Sequence, residues 1–187
     1  MIITVSGDIG SGKSTVSKLL SEHLEFNYLS TGKIQRKIAE EMNLTTLELN
    51  LLSEKDKSID DKIDAYTIAL NDSKDDYVVD SRMAWHFIPS SFKVFLSCSL
   101  EEAARRISLD QTRFGEKINE KVSILLKKIR ERRESEKRRF IHLYKADYTD
   151  LSNYNLILDT TDKNQYEVAS ELMRQFNSWK RYSGTIG

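Results

Sequence analysis

The sequence predicts an α/β fold in which a parallel sheet of five strands is flanked by helices. Two observations predict it: short apolar runs alternate with helical patterns, and glycine, hydroxyl and charged residues follow the ends of those runs. Ligands of such folds bind where the carboxyl ends of the strands meet, so the residues after each run are candidates for a site. The predicted strands span residues 2–6, 26–29, 77–80, 93–97 and 155–159.

A glycine-rich loop follows the first predicted strand. The residues Gly7-Asp8-Ile9-Gly10-Ser11-Gly12-Lys13-Ser14 form a complete G-x-x-x-x-G-K-[ST] phosphate loop between a strand and a helix. Such a loop turns backbone N–H groups toward an anion, and the helix dipole adds to the attraction. A turn without a ligand is the alternative, which this strand–loop–helix context disfavours.

The motif predicts the P-loop NTPase fold and the residues that bind ATP. Lys13 is expected to reach the β- and γ-phosphates, and Ser14 is expected to be a ligand of Mg²⁺. The expected ATP-binding residues are Gly7, Asp8, Ile9, Gly10, Ser11, Gly12, Lys13, Ser14 and Thr15.

The composition predicts one cytoplasmic domain without a nucleic-acid surface. A chain of 187 residues suits a single core, so residues 1–187 are expected to form one domain with insertions. Lys plus Arg equal Asp plus Glu at 29 each, which argues against general binding of nucleic acid. No apolar run approaches the ~20 residues that span a bilayer, so neither a membrane span nor a leader is expected. The single Cys98 allows no internal disulfide, and the three histidines have no metal-ligand spacing.

Two segments are candidates for covers over the site. Residues 31–75 form a polar, helical excursion between two predicted strands, and this connection is longer than an ordinary one. Thr31 follows the second strand and is expected to cap the helix that carries Arg36. A polar segment at 108–118 is expected to be the tip of a mobile lid, which brings Arg106 and Arg113 toward ATP.

The segment after Gly115 is predicted to be one long helix with charged residues on its apolar side. Unpaired charges on a buried face are costly, so an ionic partner is expected there, and a phosphorylated substrate is one candidate. In the alternative interpretation the helix leaves the core after Ile129 and the charges are solvated. At alternating spacings of four and three, the seam reads Ile118, Val122, Leu125, Ile129, Arg132, Glu136, Arg139 and Leu143.

Two more arginines fit a site for phosphorylated substrates. Arg82 follows the predicted strand 77–80 by two residues, and Arg36 lies one helical turn past the second strand. Guanidinium groups bind phosphate through paired N–H groups, and phosphoryl transfer needs cations around the moving charge. Each arginine alone is equally well explained as a surface residue, but beside a phosphate loop the two favour a kinase site.

With these motifs the chain resembles the cytidylate kinases, most closely their compact archaeal-type branch. The resemblance covers nearly the whole chain, and its last two blocks are the specific ones. The chain departs from the branch at Asp80-Ser81-Arg82-Met83-Ala84-Trp85-His86, where Glu-Gly-Arg-Leu-Ala-Gly-Trp is usual, and at 132–136, where Arg-Glu-x-Ser-Glu is usual. The matching blocks are the phosphate loop, Ser30-Thr31-Gly32-x-Ile34-x-Arg36, Asp80-Ser81-Arg82-Met83-Ala84-Trp85, Arg132-Arg133-Glu134-Ser135-Glu136-Lys137-Arg138-Arg139-Phe140, Tyr144-x-x-Asp147 and Asp150-Leu151-Ser152-x-Tyr154-Asn155-Leu156-Ile157-Leu158-Asp159-Thr160.

The resemblance implies transfer of the γ-phosphoryl group of MgATP to CMP or dCMP by a monomer that binds neither nucleic acid nor membrane. The segment 31–75 would be the nucleoside monophosphate-binding insertion. Lys13, Arg82 and Arg132 would be the catalytic residues, with Arg132 closing over the transferring phosphoryl group. The implied substrate-binding residues are Thr31 and Arg36 for the monophosphate, Asp80 and Arg82 for the base and phosphate, and Glu136 and Arg139 for the ribose and base region.

Three other functions are weighed against this one. A kinase for UMP, AMP or a shikimate-like acceptor fits the same scaffold. A guanine-nucleotide switch or ATP-dependent regulator would keep the phosphate loop, but the [NT]-K-x-D motif of guanine switches is absent from Ser73-Lys74-Asp75-Asp76 and from Tyr144-Lys145-Ala146-Asp147. A nucleic-acid-binding module would use residues 127–139, which zero net charge and interspersed glutamates disfavour.

Overall fold

Five parallel strands form one sheet in the order β2-β3-β1-β4-β5. In the computed structural model, which describes residues 1–109 and 122–183, each predicted strand is confirmed to within one residue at either end. Most of the predicted lid tip, residues 110–118 with Arg113, lies outside the described residues. The strands are β1 Ile2–Gly7, β2 Asn27–Ser30, β3 Tyr77–Asp80, β4 Phe92–Ser97 and β5 Leu156–Asp159, and the helices are α1 Lys13–Leu24, α2 Thr31–Glu41, α3 Thr46–Ser53, α4 Lys57–Ile68, α5 Ala84–Phe87, α6 Leu100–Leu109, α7 Val122–Tyr144 and α8 Gln165–Ser183.

The register of the sheet brings the carboxyl ends of its strands together. β1 is the central strand, and its Val5 lies opposite Asp80 of β3 and Val94 of β4. Ser30 at the end of β2 also lies opposite Asp80. The phosphate loop, the start of α2 and the residues after β3 therefore converge on one edge, as the sequence predicts.

Helices cover both faces of the sheet. On one face α1 and α8 pack against the strands through the largest apolar cluster, whose buried members are Ile3, Val5, Val16, Leu20, Val78, Phe92, Val94, Leu96, Val168, Ala169, Leu172 and Phe176. On the other face Phe95 of β4 packs with aromatic residues of α5 and α7 and of the segment after α7, including Trp85, Phe140 and Tyr148. Both faces of the central strands are buried, which explains why these strands are apolar runs rather than alternating sequences. No described helix combines the length and apolar character needed to cross a bilayer.

The excursion between β2 and β3 folds into three helices, α2, α3 and α4. It has its own small core, formed by Ala39, Leu49, Ile59 and Ile63. The N-cap of α2 is Ser30 rather than the expected Thr31, because the Ser30 hydroxyl accepts the backbone N–H of Lys33 at 3.3 Å. Thr31 is instead the first helical residue, and its hydroxyl donates to the carbonyl oxygen of Asp80.

The long helix α7 changes partner along its length. Leu125 and Ile129 pack against Ile9 and α6, as the predicted seam requires. The seam prediction is wrong at Val122, which is 56% exposed. Beyond Ile129 the side that faces the protein becomes charged, and this charged part lies over the edge where the strand ends meet.

Candidate active site

The phosphate loop is shaped by glycines that no other residue could replace without strain. Gly7 has a φ of 144° and Gly12 a φ of 83°, both in the region that side chains disfavour. A Cβ atom on Gly7 would lie 2.2 Å from the carbonyl oxygen of Leu96. The loop can therefore run directly against β4 and turn into α1 at Gly12.

Lys13 crosses the loop that it closes. Its Nζ donates to the carbonyl oxygens of Gly7 at 3.0 Å and of Asp8 at 2.6 Å. Burial lowers the pKa of Lys13 to about 7, and Arg82 acts in the same direction, while Asp80, Glu136 and Asp8 oppose the shift. A phosphate group on the loop would add negative charge beside this amine, which favours its protonated form.

Asp80 at the end of β3 faces the phosphate loop. Its Oδ2 accepts hydrogen bonds from Ser14 at 2.6 Å, Ser30 at 3.2 Å and Tyr28 at 3.3 Å. Ser14 is the predicted metal ligand, so a hydroxyl and a carboxylate lie together at the place where a P-loop enzyme holds Mg²⁺. Hard oxygen donors of this kind suit Mg²⁺, which takes few protein ligands and keeps contacts to phosphates and water.

Glu136 of α7 binds two arginines from different elements. Its Oε2 lies 2.6 Å from Nε of Arg82, and its Oε1 lies 3.0 Å from Nε of Arg132. Glu136 is 2% exposed. Burial by itself would raise the pKa of Glu136, but Arg82 and Arg132 outweigh it and hold the pKa below its ordinary value. The buried carboxylate therefore stays charged and fixes two of the three predicted catalytic residues.

Arg139, one turn further along α7, is held by the excursion. Its guanidinium donates to Oδ1 of Asn50 at 2.9 Å, and its Nε lies 3.6 Å from Oδ2 of Asp60. Gln35 donates to the same oxygen of Asn50 at 2.8 Å. Arg139 is 7% exposed, so the interpretation of this part of α7 as a solvated face is wrong for Glu136 and Arg139. The ionic partners that meet the charged seam are side chains of the protein.

A second polar contact joins α4 to the end of α7. The hydroxyl of Tyr144 donates to Oδ2 of Asp64, and Asp60 lies one turn before Asp64 on the same helix. Burial raises the pKa of Asp64 to about 6, although the hydrogen bond from Tyr144 acts against the shift. Sequence reasoning missed Asn50, Asp60 and Asp64. The spacing of four between the two acids was the available signal, since it places both on one side of a helix.

The residues predicted to be catalytic or substrate-binding line two adjoining clefts at the sheet edge. The first cleft lies between the phosphate loop and three arginines, and its lining includes Ile9, Gly10, Lys13, Ser14, Thr31, Arg36, Asp80, Arg82 and Arg132. The second lies between α2, α4 and α7, and its lining includes Thr31, Gln35, Asp60, Asp64, Arg82, Glu136, Arg139 and Phe140. The two share Thr31 and Arg82 among their lining residues, so they adjoin one another.

A third and larger cleft, of about 740 Å³, opens on the other side of the phosphate loop. Its walls are α6, residues 10–12 and 15 of the loop region, and residues 160–166 after β5. Sequence reasoning quoted Thr160 as the end of a motif but missed residues 161–166, which carry none. Arg106 lines the cleft but is already bound: it pairs with Glu102 at 2.7 Å and donates to the carbonyl oxygen of Thr160 at 2.6 Å.

Comparison with known proteins agrees with this geometry. The sequence profile described as the cytidylate kinase-like family matches residues 2–162. The chain is 35% identical over 173 residues to a cytidylate kinase of Methanosarcina barkeri, covering 90% of this chain and 92% of the relative. It is 34% identical over 179 residues to a cytidylate kinase of Sulfurisphaera tokodaii, covering 95% and 96%.

Solved structures place the fold among the P-loop kinases. A shikimate kinase from Bacteroides thetaiotaomicron superimposes with a TM-score of 0.65 at 14% identity, over 95% of this chain and 98% of that one. Identity this low is evidence for the fold alone. The extent of the family match and the two relatives above carry the assignment further: the chain belongs to the cytidylate kinase-like family.

Proposed function

We propose that the protein transfers the γ-phosphoryl group of MgATP to the 5′-phosphate of CMP or dCMP. As a member of its family, it is an ATP-dependent nucleoside monophosphate kinase; the acceptor is the proposed part. The observation that carries the proposal is the pair of adjoining clefts. One presents cations to a phosphate and the other presents paired carboxylates and an arginine to a base.

The reaction requires neutralisation of negative charge more than it requires proton transfer. The acceptor oxygen of a monophosphate is already anionic, so no strong general base is needed. Lys13, Arg82 and Arg132 line the first cleft, where they would surround the moving phosphoryl group. Arg36 and Thr31 line the same cleft and would bind the phosphate of the acceptor. Glu136 positions two of these cations in advance, which lowers the reorganisation needed on binding.

Ser14 and Asp80 are the residues that would hold Mg²⁺. The hydroxyl and carboxylate oxygens lie 2.6 Å apart and so converge on one place at the mouth of the loop. When bound, the ion would neutralise charge on the β- and γ-phosphates. This position suits Asp80 to the metal. The resemblance had implied that Asp80 contacts the base instead.

The two acids of α4, Asp60 and Asp64, are suited to bind the base. Cytosine carries an amino donor next to the ring acceptor N3 and the acceptor O2, whereas uracil carries a carbonyl oxygen in place of the amino group. A carboxylate from α4 would accept from the amino group while Arg139 donates to N3 or O2. Uracil would bring two acceptors against each other at the carboxylate, so the cluster favours CMP and dCMP over UMP.

The excursion is proposed to be the acceptor-binding insertion of a single kinase domain. It supplies Thr31, Gln35, Asp60 and Asp64 to the clefts and touches α7 through polar side chains.

The first experiment measures ADP release from MgATP with CMP, dCMP, UMP, AMP, GMP or shikimate as acceptor. We expect turnover with CMP and dCMP at least about tenfold above UMP, the discrimination that one mismatched polar contact gives. A Lys13→Met variant, purified in parallel, controls for contaminating kinases. Preferential turnover with UMP, AMP or shikimate would contradict the assignment of the base cluster, and ATP hydrolysis independent of any acceptor would contradict the transfer itself.

A further inference from the structure

The phosphate loop carries an acidic side chain at its second position. Asp8 precedes the glycine turn, and its backbone carbonyl accepts Nζ of Lys13 at 2.6 Å. Its side chain is 12% exposed, and its Oδ2 accepts the backbone N–H of Cys98 at 3.2 Å. The carboxylate is therefore held at the same loop as the amine that is proposed to meet the β- and γ-phosphates. The charge of Asp8 acts at that amine, since it opposes the fall in the pKa of Lys13.

The other oxygen of this carboxylate lies against a cation of α7. Within residues 1–109 and 122–183, Oδ1 of Asp8 is buried and accepts no hydrogen bond, and it lies 3.3 Å from a terminal nitrogen of Arg133. Arg133 is 42% exposed and follows Arg132 in the sequence, and Arg132 lines the first cleft. An anion so close to a bound polyphosphate would repel it unless a cation cancels the charge.

We propose that Arg133 is a positioning residue for the phosphate donor, which acts by cancelling the charge of Asp8 at the phosphate loop. Arg133 acts through Asp8 and makes no contact with the nucleotide. The inference rests on the proposed function only in that a nucleoside triphosphate binds at this loop. It concerns donor affinity, and it does not depend on which acceptor is used.

A double-mutant cycle separates this role from direct contact with the nucleotide. The probe is the magnesium complex of the β,γ-imido analogue of ATP, titrated calorimetrically without acceptor into wild type, Arg133→Ala, Asp8→Asn and the double variant. We expect R133A to weaken binding by about tenfold, because the uncancelled charge of Asp8 would repel the polyphosphate. We expect D8N to bind as tightly as wild type or more tightly, since the amide oxygen still accepts from Cys98. In the D8N background, R133A should change the affinity by less than about twofold.

Salt provides a readout that a purely structural effect would not move. The difference between wild type and R133A should shrink between about 0.05 and 0.5 M salt, because repulsion between partly exposed charges is screened. Arg133→Lys should bind nearly as tightly as wild type. The matched control is Arg138→Ala, an exposed arginine of the same helix, which should leave affinity unchanged. Thermal melting of each variant identifies any loss through unfolding.

Three results would overturn the proposal: an R133A defect that persists in the D8N background, which would mean direct contact with the nucleotide; an R133A variant that binds as wild type; or a D8N variant that loses affinity. If wild type binds the analogue but phosphorylates none of the tested acceptors, the proposed function fails while the cycle can still be read.

Discussion

Lys13 is a buried amine whose pKa is lowered far below its ordinary value. The amine lies on two backbone carbonyls, and burial lowers its pKa to about 7 in the protein without nucleotide. A polyphosphate at the loop would raise that pKa again, so binding and protonation are linked. This residue is therefore expected to make nucleotide affinity depend on pH.

We expect the binding of MgATP to take up a proton at Lys13. Above pH 7 the free protein loses this proton and must regain it on binding, so the dissociation constant should rise about fivefold from pH 7 to pH 8. Titration calorimetry in two buffers of different protonation enthalpy measures the uptake, which should grow over the same interval. Arg138→Ala should show the same dependence, and a flat affinity profile across this range would contradict the expectation.

Glu136 is expected to matter for stability as well as for activity. Glu136→Gln keeps the shape but leaves Arg82 and Arg132 without their carboxylate, which should cost about 2–4 kcal/mol of unfolding free energy. The melting temperature should fall by about 5–15 °C. Glu131→Gln is the control, because Glu131 is exposed and pairs with Lys127 of the same helix.

Saturating CMP should restore part of the stability lost in the Glu136→Gln variant, because an anionic acceptor supplies the missing charge. The shift in melting temperature caused by CMP should then be larger in E136Q than in wild type. An E136Q protein as stable as E131Q would show that the buried ion pairs contribute little.

Residues with a local signature could be predicted, and residues that act through tertiary contacts could not. Lys13 and Ser14 follow from a contiguous motif whose spacing fixes their geometry. Asp60 and Asp64 read as ordinary charges of a surface helix, because nothing near them in sequence shows that α4 meets α7. Asn50 was hidden in the same way, in a helix with no site motif.

At the scale of elements, α7 contacts both the excursion and the phosphate loop. The seam predicted its charged stretch, and the burial of Glu136 and Arg139 explains why those charges stand at core-like spacing. What the pattern did not show is that the excursion supplies their partners. The excursion meets α7 through polar side chains, among them Asn50, Asp60 and Asp64.

The contact between α4 and α7 should carry a pH dependence. In the folded protein the pKa of Asp64 is raised from 3.8 to about 6, so the folded state holds the proton more tightly than the unfolded chain. Stability from this group is therefore present at low pH and is lost as pH rises toward and through 6. Arg139 and Tyr144 from α7 oppose the shift, and Asp60 and Asp61 strengthen it.

Asp64→Asn removes this titrating group and should flatten part of the stability profile. Between about pH 4.5 and 7, the melting temperature of wild type should fall relative to that of D64N. Glu41→Gln is the control, since Glu41 is exposed and pairs with Lys37 of the same helix. Parallel profiles for wild type and D64N would show that Asp64 does not titrate in this range.

At the scale of the whole molecule, the alternation of strands and helices predicted the parallel sheet and the convergence of its strand ends. The order β2-β3-β1-β4-β5 was not predictable from the alternation, because it depends on which strand pairs with β1 on each side. The third cleft, beside residues 161–166, was missed for a related reason. It is built by backbone and by short polar residues after β5, which leave no motif.

The excursion should open more readily than the sheet. Its core of Ala39, Leu49, Ile59 and Ile63 is separate from the main cluster, and polar contacts hold it to α7. Amides of α3 and α4 should exchange hydrogen at least about tenfold faster than those of β1 and β4. CMP should slow exchange in α3 and α4, whereas the imido analogue of ATP should slow it mainly in the loop and α1. Equal protection of excursion and sheet would contradict this.

Such separate cores also bear on heat tolerance. Below the temperature at which the sheet melts, the excursion would loosen while the loop and Lys13 still hold ATP, so the acceptor position would admit water. We expect phosphoryl transfer to fail before ATP hydrolysis does, so that ADP would still be released after the production of CDP or dCDP has stopped. In a warming solution the protein would then consume ATP without making product before it loses its fold.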